Sequence, residues 1–164
     1  MNLFFSAQLP SPLGDLALAV DEAGALAAIR FSDQAGLITC LRPHHSLQED
    51  SAKTAHAVAE LQAYFAGELR TFATPIAPVI GTPFQRQVWA TLTRISFGTI
   101  WSYQRLAQET GSVARAVGAA NGANPISIVV PCHRVIGANG SLTGYAGGLV
   151  RKRALLIHEG AFIL

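Results

Sequence analysis

The chain has 164 residues, 50% of them hydrophobic, and a formal net charge of +2; this is enough for one sizeable core or two small lobes. No run approaches the roughly 18 uninterrupted apolar residues of a membrane span, and the N-terminus lacks the pattern of a secretory signal, so a soluble cytoplasmic protein is expected. The only cysteines, Cys40 and Cys132, have no C-x-x-C spacing, which gives no support to a disulfide framework or a cysteine zinc site and leaves both thiols expected reduced.

In chain order, "LALAV" (16–20) and "LAAIRF" (26–31) flank "DEAG" and read as a β-hairpin. His44 and His45 follow in a loop with no further ligands at metal spacing and read as solvated side chains. "SAKTAHAVAELQAYFAGE" reads as a helix with Ser51 as N-cap, Val58, Leu61 and Phe65 on its apolar face, and Gly67 as its stop. "ATPIAPVIGTP" (73–83), with three prolines and a glycine, marks a boundary. Charge changes across it. Residues 1–80 hold four basic against eight acidic residues, whereas residues 81–164 hold eight basic residues against Glu109 and Glu159. A basic lobe of this kind fits a polyanion or a solvated basic face.

Past the boundary, Thr82 and Gln85 form a T-x-x-Q capping box with Pro83 at the first helical position; Phe84, Val88, Leu92 and Ile95 mark the buried face. "SYQRLAQETG" reads as a helix capped by Ser102 and ended by Gly111, and "SVARAVGAANG" as one capped by Ser112 and ended at Asn121-Gly122. Together they form a candidate helix-turn-helix, a pattern that any helical hairpin also produces. The second helix lacks base-reading side chains other than Arg115. Its small residues Gly118, Ala119 and Ala120 would let the backbone approach a minor groove with one long cation to insert, or simply pack on a neighbouring helix.

"SIVV" (127–130) reads as a short strand, stopped by Pro131 before Cys132. An ordinary thiol, with pKa about 8.5, is only a few per cent thiolate at pH 7 and needs a base or positive surroundings to react. His133 and Arg134 are the candidates. On an extended segment, neighbours point to opposite faces, so His133 would reach the sulfur through a bridging water. A histidine base needs an orienting carboxylate, and of the two acids in this half Glu159, in "IHEG", is the better placed. A lone cysteine is otherwise an inert small hydrophobe.

"PCHRV", "SYQRLA", "RAVGAANGANP", "TGYAGG" and "HEG", in this order, closely resemble the O6-alkylguanine-DNA alkyltransferases. The resemblance implies an α+β protein: a small N-terminal ribonuclease-H-like lobe, residues 1–78, and a mostly helical C-terminal lobe with a helix-turn-helix, residues 79–164. It implies that Cys132 accepts an alkyl group from O6-alkylguanine, and from O4-alkylthymine, in double-stranded DNA, after minor-groove binding and base flipping. Carried over by position, His133 and Glu159 would activate the thiol, Tyr103 would give a proton to the departing base, and Asn124 would hold the turn. Val135, Tyr145, Ala146 and Gly147 would bind the base and its alkyl group. Arg115 would fill the vacated stack, with Ser102, Gln104, Gly118, Ala119 and Asn121 at the DNA. No metal or cofactor is implied, and the partner is DNA bound by a monomer that is able to cluster along it. Ser96, Trp101 and Ala146 depart from the family's usual residues, which opens the question of pocket size. Three rivals stay open: an alkyltransferase-like binding protein, against which Cys132 argues, a turning-over cysteine hydrolase, and a helix-turn-helix regulator.

Overall fold

The computed structural model describes residues 2–32, 36, 37, 41 and 45–161, with the backbone alone at Asn2 and His45. Cys40, His44 and the side chain of His45 lie outside the described residues. The chain divides into two compact units, one running to Ile80 and including Pro125–Ser127, the other comprising Gly81–Asn124 and the chain from Ile128. The α+β class expected from the sequence is the one observed. Among the described residues, no helix is long and apolar enough to cross a membrane.

The first unit is built on a sheet of β1 (Asn2–Leu9), β2 (Leu16–Val20), β3 (Leu26–Phe31) and β4 (His45–Glu49) in the order β3-β2-β1-β4. The β1–β2 and β2–β3 pairs are antiparallel, and β4 runs parallel to β1. Every residue of "LALAV" is buried, which is why that strand reads as a continuous apolar run and not as an alternation. The hairpin expected around "DEAG" forms, because the Asp21 carboxylate accepts from the amides of Ala23 and Ala25 at 3.0 and 2.9 Å and folds the loop back.

Helix α1 (Ala55–Phe65) starts later than expected, with Thr54 and not Ser51 at its N-cap. The Asp50 carboxylate takes the amides of Ala52 and Lys53, both at 2.9 Å, so residues 51–54 form turns ahead of the helix. Its inward face is Ala57, Glu60, Leu61 and Tyr64, with Val58 and Phe65 only half-buried. Glu60 is accommodated there because it accepts from the amides of Ala73 and Thr74, each at 2.8 Å.

The second unit opens with α2 (Pro83–Leu92), and its capping box is complete: Thr82 Oγ1 accepts from the Gln85 amide at 3.1 Å and Gln85 Oε1 from the Thr82 amide at 2.9 Å. Strand β5 (Trp101–Ser102) leads into α3 (Tyr103–Thr110), followed by α4 (Ala114–Gly122). Ser102 Oγ caps α3 by accepting from the Arg105 amide at 3.0 Å, and Gly111 ends it in the left-handed conformation. The α4 cap differs from expectation. Val113, not Ser112, holds that position and supplies no side-chain bond. Both helices pack on α2, and Trp89 Nε1 ties α2 to α4 by donating to the Ala120 carbonyl at 2.8 Å.

The strand expected at 127–130 does not form. The Ile29 amide donates to Pro125 O and the Ser127 amide to Ile29 O, after which Ile128 takes a positive φ of 72°. That value breaks a strand's pleat and is costly for a β-branched residue. Cys132–Arg134 then make one 3-10 turn, and β6 (Val135–Ile136) pairs parallel with β5. Cys132 and His133 therefore sit on a turn, where neighbours are about 120° apart and not on opposite faces as the strand reading required. Helix α5 (Leu149–His158) closes the unit, with Glu159 as its C-cap.

Candidate active site

Cys132 lies at the start of the 3-10 turn and is 5% exposed. The turn is held from both sides: Asn124 Nδ2 and the Cys132 amide both donate to Val130 O, at 2.9 and 2.8 Å. Burial pushes the Cys132 thiol above its ordinary range, outweighing the Asn124 side chain and the Lys152 charge, which pull it down. At rest the sulfur carries its proton. Reaction therefore requires a base.

His133 supplies one. It is completely buried, and its Nε2 lies 2.9 Å from Glu159 Oε2. Burial pushes the Glu159 carboxyl up, but hydrogen bonds from His133 and Arg134 win and hold it at about 2. An ionised carboxylate only accepts, so Nε2 carries the hydrogen of this pair. Burial also pushes the His133 pKa down, against the Glu159 interaction, and the ring is neutral. Its proton is on Nε2 and its lone pair on Nδ1. Among the described residues, Nδ1 has no hydrogen-bond partner, which leaves a buried acceptor one residue from the thiol.

Arg134, expected as part of the thiol's positive surroundings, instead completes the cluster at Glu159. Its Nε donates to Glu159 Oε1 at 2.8 Å and its Nη2 to Oε2 at 3.0 Å, while Nη1 reaches Ile95 O at 2.5 Å. This fork neutralises the carboxylate and fixes its plane. The available signal was the apolar setting of "IVVPCHRVI", which forces a cation there to find a buried acid. Lys152 was missed for the opposite reason, since "RKR" on a basic helix reads as solvated. It is 0% exposed, its Nζ donates to Thr143 O at 2.7 Å, and burial lowers its pKa to about 8 against the opposing influence of Cys132.

The Tyr103 hydroxyl donates to the same Thr143 carbonyl at 3.0 Å, and Lys152 Nζ is 5.8 Å from its ring centroid. Tyr103 and Lys152 thus hold one carbonyl of the loop that continues through Tyr145, Ala146 and Gly147. Arg151 adds a donor to Gly147 O at 3.2 Å. Val135 is buried, and its amide donates to Cys132 O. Arg115, Gln104 and Ala119 are exposed on α3 and α4. Gly118 lies under Tyr103, where a Cβ would sit 3.8 Å from the ring. Ser102 caps α3. Asn121 is 2% exposed and turned inward, donating from Nδ2 to Cys132 O at 3.3 Å.

Two family models match the chain: the 6-O-methylguanine DNA methyltransferase ribonuclease-like domain over residues 5–78 and the DNA binding domain of the same family over residues 83–161. A methylated-DNA–protein-cysteine methyltransferase of Shigella flexneri is 46% identical over 164 residues, covering 96% of both chains. One from Mycobacterium tuberculosis is 47% identical over 150 residues, covering 90% of this chain and 87% of the relative. Among solved structures, the Mycobacterium tuberculosis O6-methylguanine methyltransferase superposes with a TM-score of 0.81 at 42% identity, over 98% of this chain and 94% of that one. The Mycobacterium tuberculosis OGT solved in complex with DNA has a TM-score of 0.81 at 43% identity, over 96% and 93%.

Proposed function

The chain belongs to the 6-O-methylguanine DNA methyltransferase family, and we propose that it repairs double-stranded DNA by moving the alkyl group of O6-alkylguanine onto its own Cys132, once per molecule. The observation that carries this reading is a buried, protonated thiol next to a neutral histidine whose other nitrogen is locked to an ionised carboxylate. A bridging water passes the Sγ proton to His133 Nδ1, and Glu159 stabilises the imidazolium that results. The sulfur forms a bond to the alkyl carbon as the carbon–O6 bond breaks. That electron pair flows into the purine, which takes a proton from Tyr103. The product is a thioether. Water does not readily cleave it, so the protein is consumed.

Residues 79–164 hold both the chemistry and the DNA face, and residues 1–78 form the supporting lobe. Arg115, exposed on α4, fills the stack that the flipped guanine leaves. The first turn of α4 has no side-chain cap, which keeps its amides available to a backbone phosphate. Gln104, Ala119 and Gly118 line the approach, with Ser102 shaping it as the α3 cap. Asn124 keeps the turn ahead of Cys132 in place, and Val135, Tyr145, Ala146 and Gly147 surround the base and its alkyl group. The protein acts as a cytoplasmic monomer on DNA.

Mixing the protein with excess duplex carrying radiolabelled O6-methylguanine tests the reading. Label is expected to reach about one equivalent and stop, with the methyl on the peptide that contains Cys132. Continued turnover, or no transfer, would sink it. Arg115→Ala is expected to slow repair in duplex by about 100-fold while the rate with free O6-methylguanine base changes little, because only the duplex has a gap to fill. Equal losses on the two substrates would remove the gap-filling role.

A further inference from the structure

Asn121 occupies the last turn of α4, the helix whose outer face carries Arg115, yet its side chain is 2% exposed. A buried carboxamide is tolerated when its polar atoms are paired. Here the pairing is one-sided. Nδ2 donates to the Cys132 carbonyl at 3.3 Å, and the Asn121 side chain lies close enough to the Tyr103 hydroxyl to pull its pKa down, while that hydroxyl donates to Thr143 O at 3.0 Å. Among the described residues, Oδ1 has no partner. A fully apolar residue would avoid that unpaired oxygen, so the donor half of the amide is what the position requires.

We propose that Asn121 is a positioning residue for alkyl transfer: through Nδ2 it holds the Tyr103 phenol and the Cys132 turn to the same point of α4. The inference rests on the function proposed above. Tyr103 lies over Gly118 of the same helix, so α4 carries on one side the surface that meets DNA and on the other the ring and amide that meet the reaction. When the phenol O–H breaks and its proton bonds to the purine, the phenolic oxygen becomes anionic. An Nδ2–H already aimed at that oxygen then makes a charge-assisted bond that is stronger at the transition state than before it. Thr143 O has the opposite effect, because an acceptor carbonyl loses its donor as the proton leaves. The Asn121 and Thr143 side chains are thus the partners that favour the proton's departure.

The experiment is a double-mutant cycle of Asn121→Leu and Tyr103→Phe, with single-turnover transfer from a methylated duplex as the readout. Asn121→Leu is expected to slow transfer by about 10- to 100-fold in the parent and by no more than about 2-fold in the Tyr103→Phe background. Titration of tyrosine labelled with carbon-13 at Cζ should show the Tyr103 pKa moved upward by the substitution. Asn121→Asp has nearly the same shape but places an acceptor against the phenolic oxygen; it should be at least as slow and serves if Leu at this position fails to fold. Equal losses in both backgrounds, or an unmoved Tyr103 titration, would overturn the proposal. Failure of the parent to transfer any methyl would instead overturn the function itself.

Discussion

Cys132→Ala is expected to accept no methyl group from O6-methylguanine duplex while binding the same DNA within about 2-fold of the parent. The side chain is buried in the turn and lies off the exposed face of α4, so its removal takes away the nucleophile and leaves the DNA surface. Losing one buried heavy atom costs about 1 kcal/mol, which is small against the 5–15 kcal/mol of a typical domain. Intact mass and peptide mapping read the first outcome, and fluorescence anisotropy with labelled duplex reads the second. Mapping also separates the two thiols of the sequence, since methyl on Cys40, or on the alanine variant, would show that the acceptor is elsewhere. The same site implies a pH trend. Because burial holds the thiol protonated, iodoacetamide should label Cys132 of the native protein more slowly than an unfolded cysteine at neutral pH, and should accelerate as pH rises.

Glu159→Gln is expected to cost both activity and about 3–5 kcal/mol of stability. The carboxylate side chain is fully buried and pairs with His133 and, through two bonds, with Arg134. A glutamine keeps the shape but leaves the Arg134 guanidinium buried without a counter-charge. The effect depends on pH with a definite sign. Folding lowers the Glu159 pKa from 4.5 to about 2, so its contribution is fully present above pH 4.5 and is lost as pH falls through about 2. The size of that contribution is roughly 3 kcal/mol. The difference between parent and variant in urea melts should therefore be smaller at pH 3 than at pH 6, and should close only as pH falls through about 2. Arg134→Met added to Glu159→Gln removes the uncompensated cation and should recover much of the stability but none of the transfer rate, because His133 still lacks its anionic partner. Recovery of both would mean that Glu159 serves only the fold.

What the sequence by itself determined is local. The Thr82 capping box, the Ser102 cap, the Gly111 stop and the Asp21–Gly24 hairpin turn each depend on atoms within a few residues of one another, and all four appear as read. The family and the acceptor cysteine were legible as well, because "PCHRV" and its companion motifs keep their order and spacing. Only the tertiary structure decided the rest. Ile128 leaves the expected strand because the preceding residues, Pro125 and Ser127, bond to Ile29, nearly a hundred positions earlier. Arg134 read as a cation beside the thiol, Lys152 as part of a solvated basic face and Asn121 as a DNA-facing amide, yet all three are buried, since a polar group goes inside only where a distant partner offsets its desolvation. Glu159 provides that for Arg134, Thr143 for Lys152, and Cys132 and Tyr103 for Asn121. No window of sequence contains both halves of such a pair.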